Sequence, residues 1–332
     1  METKSTVKVQ ILKPIIKWVG GKTQIIDTLL PLFPVDIQNY HELFLGGGSV
    51  LLALLSYVKA GVIRVRGSIY AYDANDTLIY MYKNIQDHHE DLYKEIQTLI
   101  RDFGECDMGE VNRKPTSLAE AKVNKENYFY WIRKIYNGLT PEEKRTPAGS
   151  AMFIFLNKTC FRGIFRVGPN GYNVPYGHNK NPGIIDWTHL CEIHHLIQGV
   201  IFETSDFIVS IRAVGPGDFV YLDPPYAPET DTSFVGYVDG GFTLEHHRRL
   251  FQEIHGLSSN DDMSDNVGTS VGDCTIAAPP KKIMMSNADV TLVREQFTDS
   301  RYRVASLLCK RTIHSKMPDA KAKEVIVRNY LA

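Results

Sequence analysis

The fold of this chain is decided near its N-terminus by the stretch Tyr40-His41-Glu42-Leu43-Phe44-Leu45-Gly46-Gly47-Gly48-Ser49. An apolar run over 40–45 leads into three glycines, and a helical pattern over 49–60 begins directly after them, which predicts a strand, a tight turn and a helix. A second strand over 68–72 and a second helix over 76–85 follow after short connections. Strands and helices that alternate in this way indicate parallel βαβ units in an α/β fold.

The same alternation resumes after residue 200 and completes a sheet. Further strands are predicted over 200–203, 218–222 and 281–286, with helices over 244–255 and 290–297. Two β-branched runs, 303–308 and 324–328, end the chain without a helix between them and predict an antiparallel hairpin at the sheet edge. Together these segments predict a seven-stranded, mostly parallel, Rossmann-like sheet.

Residues 86–199 interrupt this pattern. Helical stretches over 91–103 and 118–136 are followed by 165–177, where Gly168-Pro169-Asn170-Gly171 marks a tight turn. We therefore expect the sheet domain to comprise residues 1–85 and 200–332, with an inserted, mainly helical domain of residues 86–199 that carries a β-hairpin. A second interruption, residues 257–280, is rich in Ser, Asn, Asp and Gly and is predicted to be a mobile surface loop.

Composition excludes several classes of protein. Of the 332 residues, 43% are hydrophobic, which is enough for a large folded core and too apolar for a disordered chain. No apolar run approaches the roughly 20 residues of a membrane span, and residues 1–5 lack the apolar stretch of a signal peptide. Five scattered cysteines without a CxxC pair predict neither a disulfide framework nor a zinc ribbon. We expect an intracellular monomer without a metal or a membrane partner.

Charge is unevenly distributed along the chain. Lys and Arg number 37 against 38 Asp and Glu, yet the segment Asn157–Asn181 contains four basic residues and no acid. An anionic partner such as nucleic acid binds a local patch and not a net charge. The near-zero net charge therefore does not exclude nucleic acid as a partner. The alternative is that the charged segments are solvated surfaces of an ordinary enzyme.

Two glycine-rich motifs resemble phosphate-binding loops but lack required glycines. The first, Lys17-Trp18-Val19-Gly20-Gly21-Lys22-Thr23, has Ile16 where a P-loop needs its first glycine. The second, Gly46-Gly47-Gly48-Ser49, has Leu51 where a dinucleotide-binding turn needs its third glycine. These departures disfavour an ATPase and indicate a nucleotide-like ligand without a pyrophosphate.

An acid in the expected place supplies the second half of such a site. Asp73 ends the strand over 68–72 and lies 25 residues after Gly48, where a carboxylate accepts hydrogen bonds from ribose hydroxyls. S-adenosyl-L-methionine fits this pattern because it contains adenosine and a sulfonium cation but no phosphate. A purely structural turn followed by a helix-capping acid is the alternative.

The tetrapeptide Asp223-Pro224-Pro225-Tyr226 is the most specific signal in the sequence and follows the apolar strand over 218–222. Loops at the carboxyl ends of parallel strands face the ligand crevice, and the prolines fix the backbone there. The Asp223 carboxylate and the Pro224 carbonyl can accept the two N–H groups of an exocyclic amine. Tyr226 can stack on the base, an interaction worth ~1–3 kcal/mol. An ordinary Asp-Pro turn is the alternative.

Together, these motifs resemble those of the Dam-like, class alpha DNA adenine-N6 methyltransferases, over about residues 13–329 apart from 257–280. The resemblance also includes Asp206-Phe207 after the third strand and Ser286-Asn287 after the fifth. It implies a methyltransferase sheet in which S-adenosyl-L-methionine is held by Trp18, Lys22, Phe44, Gly46, Gly48, Ser49, Asp73, Asp206, Phe207 and Asp223. It assigns catalysis to Asp223, Pro224 and Tyr226.

The resemblance makes residues 86–199 a target-recognition domain that binds double-stranded DNA. Phe161 stands where relatives insert an aromatic wedge beside the flipped base, and Arg162 replaces the Asn usual at the next position. Arg166 stands where relatives read a guanine, and a bidentate contact of that kind is worth ~1–3 kcal/mol of discrimination. Asn173 completes the predicted DNA-binding residues. A plain phosphate contact is the alternative for Arg166.

The expected reaction is direct methyl transfer to N6 of an adenine flipped out of the duplex, without a covalent enzyme intermediate. Three other functions use related motifs: an N4-cytosine methyltransferase usually has Ser at the position of Asp223, and a protein glutamine methylase usually has Asn there. A DNA-binding protein that has lost catalysis is the third, and the intact Asp223, Tyr226 and glycine turn disfavour it.

Overall fold

A seven-stranded sheet forms the centre of the protein in the computed structural model, which describes residues 9–228, 242–258, 279–310 and 321–331. Its strands are β1 (Tyr40–Glu42), β2 (Ile69–Asp73), β3 (Val200–Thr204), β4 (Phe219–Leu222), β5 (Lys282–Ala288), β6 (Arg303–Lys310) and β7 (Lys321–Arg328). They are ordered β6-β7-β5-β4-β1-β2-β3. Strands β1 to β5 are mutually parallel, whereas β7 is antiparallel to both β5 and β6. The predicted mostly parallel sheet and its edge hairpin are confirmed.

Helices connect and cover these strands. Within the described residues, the α-helices span Ile26–Leu29, Ser49–Lys59, Asp76–Asp87, His89–Gly104, Leu118–Lys122, Lys125–Gly138, Pro141–Lys144, Pro147–Thr159, Trp187–Leu196, Phe207–Arg212, Leu244–Ser258 and Thr291–Gln296. In the part of the chain that the structure describes, no helix is both long enough and apolar enough to cross a membrane.

Two element predictions are wrong in detail. The single helix predicted over 118–136 is two helices, because the Asn124 side chain accepts a hydrogen bond from the Glu126 N–H and starts a new helix there. Strand β1 ends at Glu42 and not at Leu45, because the Leu45 carbonyl accepts a hydrogen bond from Gly48 N–H in the glycine turn. Most of the loop predicted over 257–280 lies outside the described residues.

The sheet is buried on both faces. Along β4, Phe219 and Tyr221 point into one apolar cluster, and Val220 and Leu222 point into the other. This alternation between two buried faces is characteristic of a parallel sheet covered by helices. The first cluster also contains Leu92, Phe129 and Phe153 from the helices of residues 89–159, so these helices share a core with the sheet.

The strand order creates a crevice between β1 and β4. From β1 the chain proceeds to β2 and β3 on one side of the sheet, whereas β4 leads to β5 on the other. Ligands in open α/β sheets bind at such a switch point, outside the carboxyl ends of the strands. The glycine turn follows β1 and Asp223-Pro224-Pro225-Tyr226 follows β4, so the fold brings the two most informative motifs to one place.

Candidate active site

A cavity of about 400 Å³ lies at this switch point. Most of the predicted cofactor and catalytic residues line it: Trp18, Phe44, Gly46, Ser49, Asp73, Asp206, Phe207, Asp223, Pro224 and Tyr226. Lys22 and Gly48 are not among the lining residues. Glu42, Phe242 and His246 line the cavity although they were not predicted to be site residues.

The turn after β1 requires glycine at two positions. Gly46 and Gly48 have φ values of +51° and +75°, in the left-handed region that favours glycine. A Cβ on Gly48 would lie 2.2 Å from the Tyr82 Oη, and that hydroxyl donates to the Gly47 carbonyl at 2.8 Å. Gly48 therefore has a structural role in the turn, which lets the helix Ser49–Lys59 begin directly after it.

The carboxylate of Asp73 is fixed by two backbone donors. Gly46 N–H donates to its Oδ2 at 2.9 Å, and Asn75 N–H donates to its Oδ1 at 2.8 Å. Burial raises the pKa of Asp73 to about 6, and the two hydrogen bonds oppose that rise. The side chain is thus held in one orientation at the end of β2, where it lines the cavity.

Lys22 supports Asp223 from behind the cavity wall. Its Nζ lies 2.6 Å from Asp223 Oδ2, and its side chain is only 3% exposed. The ammonium also donates to the Gly20 carbonyl at 2.9 Å and lies 4.8 Å from the centre of the Tyr226 ring. Lys22 N–H donates to Ser49 Oγ at 3.0 Å, which fastens the first glycine motif to the second.

Asp223 has one oxygen engaged and one available. Oδ2 pairs with Lys22, whereas Oδ1 is buried and has no hydrogen-bond partner among the described residues. Burial raises the pKa of Asp223 to about 6, although the charge and hydrogen bond of Lys22 lower it. A buried acceptor without a partner is costly, so Oδ1 is suited to accept a hydrogen bond from a ligand.

The loop after β4 is anchored to β5. Asn287 is fully buried, and its Oδ1 accepts hydrogen bonds from the N–H groups of Ala227 and Ala288 at 3.0 and 2.8 Å. The hydroxyls of Tyr221 and Ser286 are hydrogen-bonded at 2.8 Å. These contacts join the strand before the tetrapeptide and the residue after it to the neighbouring strand.

Tyr226 presents its ring to the cavity while its hydroxyl is buried. Burial, Asp223 and Glu324 all raise the pKa of this hydroxyl, so it is neutral across the physiological range. Its Oη lies near the Glu324 carboxyl group, but neither Oη nor Glu324 Oε2 meets the geometry of a hydrogen bond with a described residue. The ring is therefore the part of Tyr226 that is suited to contact a ligand.

Glu42 is a site residue that the sequence prediction missed. It ends β1, is 2% exposed, and its Oε2 accepts a hydrogen bond from the Tyr40 hydroxyl at 2.8 Å. Burial raises its pKa to about 8, and the charges of Asp223 and Asp73 add to the rise. An acid at the end of the strand before the glycine turn is the same signal that identified Asp73 at the end of β2.

Aromatic rings form another wall of the cavity. The rings of Phe44 and Phe207 are stacked with their centres 5.7 Å apart. Phe242 approaches both, at 6.0 Å from Phe44 and 5.6 Å from Phe207. Asp206 begins the helix Phe207–Arg212 by accepting a hydrogen bond from Ile208 N–H at 2.8 Å, and so fixes Phe207 at the cavity.

The predicted DNA-binding residues lie on and beside a hairpin outside the cavity: Arg166 and Asn173 flank its paired strands, and Phe161 and Arg162 lie in the 3-10 turn Phe161–Gly163 that precedes them. Val167–Gly168 pairs with Gly171–Tyr172 in antiparallel fashion around the predicted turn. Phe161 is 45% exposed, and the Arg162 guanidinium lies 5.1 Å from the centre of its ring. Arg162 has a φ of +57°, in the left-handed region. The arrangement presents an aromatic ring and a cation together at the surface.

The base of the hairpin is attached to the cavity wall. The rings of Trp18 and Phe165 are stacked with centres 5.4 Å apart. The Asn157 side chain accepts a hydrogen bond from the Lys17 N–H and donates one to the Lys17 carbonyl, both at 2.9 Å. The segment that carries Phe161 and Arg166 is therefore packed directly against the N-terminal wall of the cavity.

The reversed strand β7 distinguishes this sheet from an all-parallel dinucleotide-binding sheet and matches the methyltransferase sheet expected from the sequence. Among the described residues, the lining of the cavity includes acidic and aromatic groups and no phosphate-binding loop. The profile of one family, described as D12 class N6 adenine-specific DNA methyltransferase, matches residues 18–307. The chain belongs to this family, and it is an adenine-specific DNA methyltransferase.

Curated relatives support the same assignment over most of the chain. The type II methyltransferase M.MjaIII of Methanocaldococcus jannaschii is 34% identical over 249 residues, which cover 72% of this chain and 78% of the relative. The type II methyltransferase M1.LlaDCHI of Lactococcus lactis subsp. cremoris is 26% identical, with 96% of each chain covered. A DNA adenine methylase of Haemophilus influenzae is 27% identical, with 95% of this chain and 92% of the relative covered.

Proposed function

We propose that this enzyme transfers a methyl group from S-adenosyl-L-methionine to N6 of an adenine that is flipped out of double-stranded DNA. The observation that carries the proposal is Asp223, whose Oδ2 is paired with Lys22 while its buried Oδ1 has no partner among the described residues. Family membership limits the chemistry to adenine N6, which disfavours the N4-cytosine, protein and non-catalytic alternatives.

The charge of the cavity supports a cationic cofactor. Glu42, Asp73 and Asp223 are three carboxyl groups whose pKa burial raises, and neither Lys nor Arg is among the described residues that line the cavity. A ligand with positive groups therefore lowers the cost of ionising these acids. S-adenosyl-L-methionine meets this requirement because it carries a sulfonium and an ammonium group, and its methyl group is activated by the positive sulfur.

Each wall of the cavity then has a role in binding. Asp73 accepts hydrogen bonds from the ribose hydroxyls, and Phe44 and Phe207 enclose the adenine ring of the cofactor beside Asp206. Glu42 receives the ammonium group. Gly46 and Ser49 allow close approach of the ligand to the glycine turn, and Trp18 closes the side next to the hairpin. Gly48 supports this site through the turn, and Lys22 supports it through Asp223.

Asp223, Pro224 and Tyr226 bind and orient the target base. The Asp223 Oδ1 and the Pro224 carbonyl accept hydrogen bonds from the N6 amine, which directs its lone pair at the methyl carbon. Tyr226 stacks on the flipped base. The bound cofactor would supply the methyl group, with an N6–carbon bond replacing the carbon–sulfur bond. Asp223, whose pKa burial raises to about 6, would accept the proton that N6 loses and pass it to water.

Residues 86–199 are proposed to recognise the target, whereas residues 1–85 and 200–332 carry the chemistry. Phe161 inserts beside the extruded base, Arg162 contacts the duplex, and Arg166, which is hydrogen-bonded to Asn173, reads a guanine. Flipping costs a few kcal/mol, and stacking on Tyr226 offsets part of that cost. The stacked contact between Trp18 and Phe165 holds the hairpin in a fixed position beside the cavity.

The test uses duplex DNA and S-adenosyl-L-methionine labelled in its methyl group. After incubation, the DNA is digested to nucleosides and the nucleosides are separated. The label is expected in N6-methyl-2′-deoxyadenosine. Label in N4-methylcytosine, or none in DNA, would contradict the proposal. A single-stranded oligonucleotide of the same sequence serves as the control for the duplex requirement.

A further inference from the structure

We propose that Asn173 is a positioning residue, which holds the guanidinium of Arg166 in one orientation and thereby sets how strictly the enzyme discriminates one base. This inference rests on the proposed function, in which Arg166 reads DNA. It changes the role of Asn173 from a direct DNA contact to a support for another side chain.

The contact between the two side chains is direct. Arg166 Nε donates a hydrogen bond to Asn173 Oδ1 at 2.6 Å. The backbones of the same two residues are also joined, because Asn173 N–H donates to the Arg166 carbonyl at 3.1 Å. Arg166 and Asn173 thus face each other across the hairpin with a backbone and a side-chain hydrogen bond between them.

This contact leaves one edge of the guanidinium for DNA. With Nε engaged, the two terminal nitrogens form the remaining two-donor edge, and they make no hydrogen bond or ion pair with a described residue. A two-donor edge of this kind matches O6 and N7 of guanine. A phosphate can be bound from many directions, whereas a bidentate contact to a base edge requires a fixed plane.

The segment that carries Asn173 is itself anchored to the helix Lys125–Gly138. Asn137 Oδ1 accepts a hydrogen bond from Tyr172 N–H at 2.8 Å, and its Nδ2 donates to the Tyr172 carbonyl at 2.9 Å. Arg133 Nη1 donates to the Val174 carbonyl at 3.0 Å. The residues on both sides of Asn173 are therefore fixed, so Arg166 is held against a rigid support. Side chains ordered in advance lose less freedom on binding.

Gly168 gives the Asn173 amide the room that it needs. A Cβ on Gly168 would lie 2.5 Å from Asn173 Nδ2, which is closer than atoms of that kind approach. A residue larger than glycine at position 168 would therefore displace the amide and its hydrogen bond to Arg166. Position 168 provides a second, independent way to disturb the same contact.

The experiment measures base discrimination. The target sequence is first determined by methylation-sensitive sequencing of DNA from cells that express the protein. The value of kcat/KM is then measured on the target duplex and on duplexes with each single base-pair change, for the wild type, Asn173→Ala, Asn173→Asp, Gly168→Ala and Arg166→Ala. Asn170→Ala, a change at an exposed residue of the same turn, is the matched control.

Asn173→Ala and Gly168→Ala are expected to lower discrimination at the one position where Arg166→Ala abolishes it, by about fivefold or more, with the other positions and the melting temperature unchanged. Asn173→Asp keeps the acceptor oxygen and is expected to retain discrimination while it weakens binding to all duplexes through its negative charge. Asn170→Ala should resemble the wild type.

Four results separate the possible failures. Equal loss of activity on every duplex in Asn173→Ala would show a phosphate contact, and unchanged discrimination would show no role; either overturns the positioning role. If Arg166→Ala loses activity equally on all duplexes, the reading of a base by Arg166 is wrong, and the positioning role fails with it. Absence of N6-methyladenine with the wild type refutes the proposed function itself, before any variant is compared.

Discussion

In the cavity, most polar side chains are buried or half-buried and bound to a neighbour, whereas in the hairpin the charged side chains are exposed and have few partners. Asp73 and Asp223 each have a fixed oxygen, and burial shifts the pKa of both. By contrast, Arg162 and Arg166 are exposed, and no ion pair between described residues involves either of them. The cavity is built to hold one small ligand, and the hairpin keeps its charges available for a large anionic one.

The two regions should therefore respond differently to mutation. A change in the cavity should alter chemistry, pH dependence or stability on every DNA sequence. A change in the hairpin should alter which DNA is bound and how the base is extruded, while the folded enzyme and its cofactor site remain intact.

Asp223→Ala removes the carboxylate proposed to orient the amine and accept its proton. We expect the single-turnover rate of methyl transfer to fall by about 10³-fold, with DNA binding retained because the hairpin is not altered. The rate is measured by rapid quench with labelled cofactor, and DNA binding by fluorescence anisotropy. The control is Asp299→Ala, which removes an exposed carboxylate that does not line the cavity. A variant that transfers methyl groups at the wild-type rate would refute the catalytic assignment.

Asn287→Ala removes the buried acceptor that anchors the loop after the tetrapeptide. Two backbone N–H groups lose their partner, and each unsatisfied buried donor costs about 1–3 kcal/mol. We expect a lower melting temperature, and a kcat about tenfold to 100-fold lower because a catalytic group that moves by about 1 Å loses rate on that scale.

The control for Asn287 is Asn329→Ala. Asn329 makes the same kind of contact near the opposite end of β5, where its Oδ1 accepts from Ile283 N–H at 2.8 Å and its Nδ2 donates to the Lys281 carbonyl at 3.0 Å. It should lose stability without losing kcat measured well below its melting temperature. If both variants lose kcat equally, the effect of Asn287 is one of general stability and not of loop position.

Lys22→Met tests how the ion pair sets the pH dependence. The pKa of Asp223 is raised to about 6 by burial and lowered by Lys22, and transfer requires the ionised carboxylate, so activity should fall as the pH decreases through about 6. Without Lys22 the pKa should rise by about one unit or more, and the acidic limb of the kcat/KM profile should move to higher pH. The expected loss at pH 6 is about fivefold.

The pH experiment has a surface control and a clear contrary result. Lys59→Met removes an exposed lysine at the end of the helix Ser49–Lys59 and should leave the profile in place. An acidic limb that stays at the same pH in Lys22→Met would show that Asp223 is not the group that titrates. A hairpin variant such as Arg166→Ala should also leave the limb unchanged, which separates the two regions by a second measurement.

The sequence predicted the parts of the site that depend on neighbouring residues. The glycine turn, Asp73 and the tetrapeptide each lie beside a strand that the pattern identifies, so their placement at one edge followed from the topology. It did not predict the contacts between distant segments, such as the ion pair between Lys22 and Asp223. Glu42 was missed because the predicted strand continued to Leu45, which placed Glu42 inside the strand and not at its end, where Asp73 was identified.

For the hairpin, the sequence pattern predicted the turn but not the roles of its residues. Its turn was visible in Gly168-Pro169-Asn170-Gly171, but the roles of Phe161 and Arg166 came only from the resemblance to a family. The bond between Arg166 and Asn173 depends on how two short segments pair, and that register has no local signal beyond the turn. Similarly, the break in the helix predicted over 118–136 depends on the Asn124 cap, which a helical pattern alone conceals.

Phe161→Ala gives the smallest expected effect and tests the hairpin alone. Because the side chain is 45% exposed, its removal should leave the melting temperature and cofactor affinity unchanged. Loss of the wedge should lower the population of extruded base by about threefold, a fraction of what a full stacking contact is worth. The measurement replaces the target adenine with 2-aminopurine, and the fluorescence of 2-aminopurine rises when the base leaves the stack.

Val167→Ala, at a 47% exposed apolar residue of the same hairpin, controls for lost surface area. Equal fluorescence in the wild type and Phe161→Ala would mean that the wedge lies elsewhere, whereas a loss of cofactor affinity would mean that hairpin and cavity are not separable.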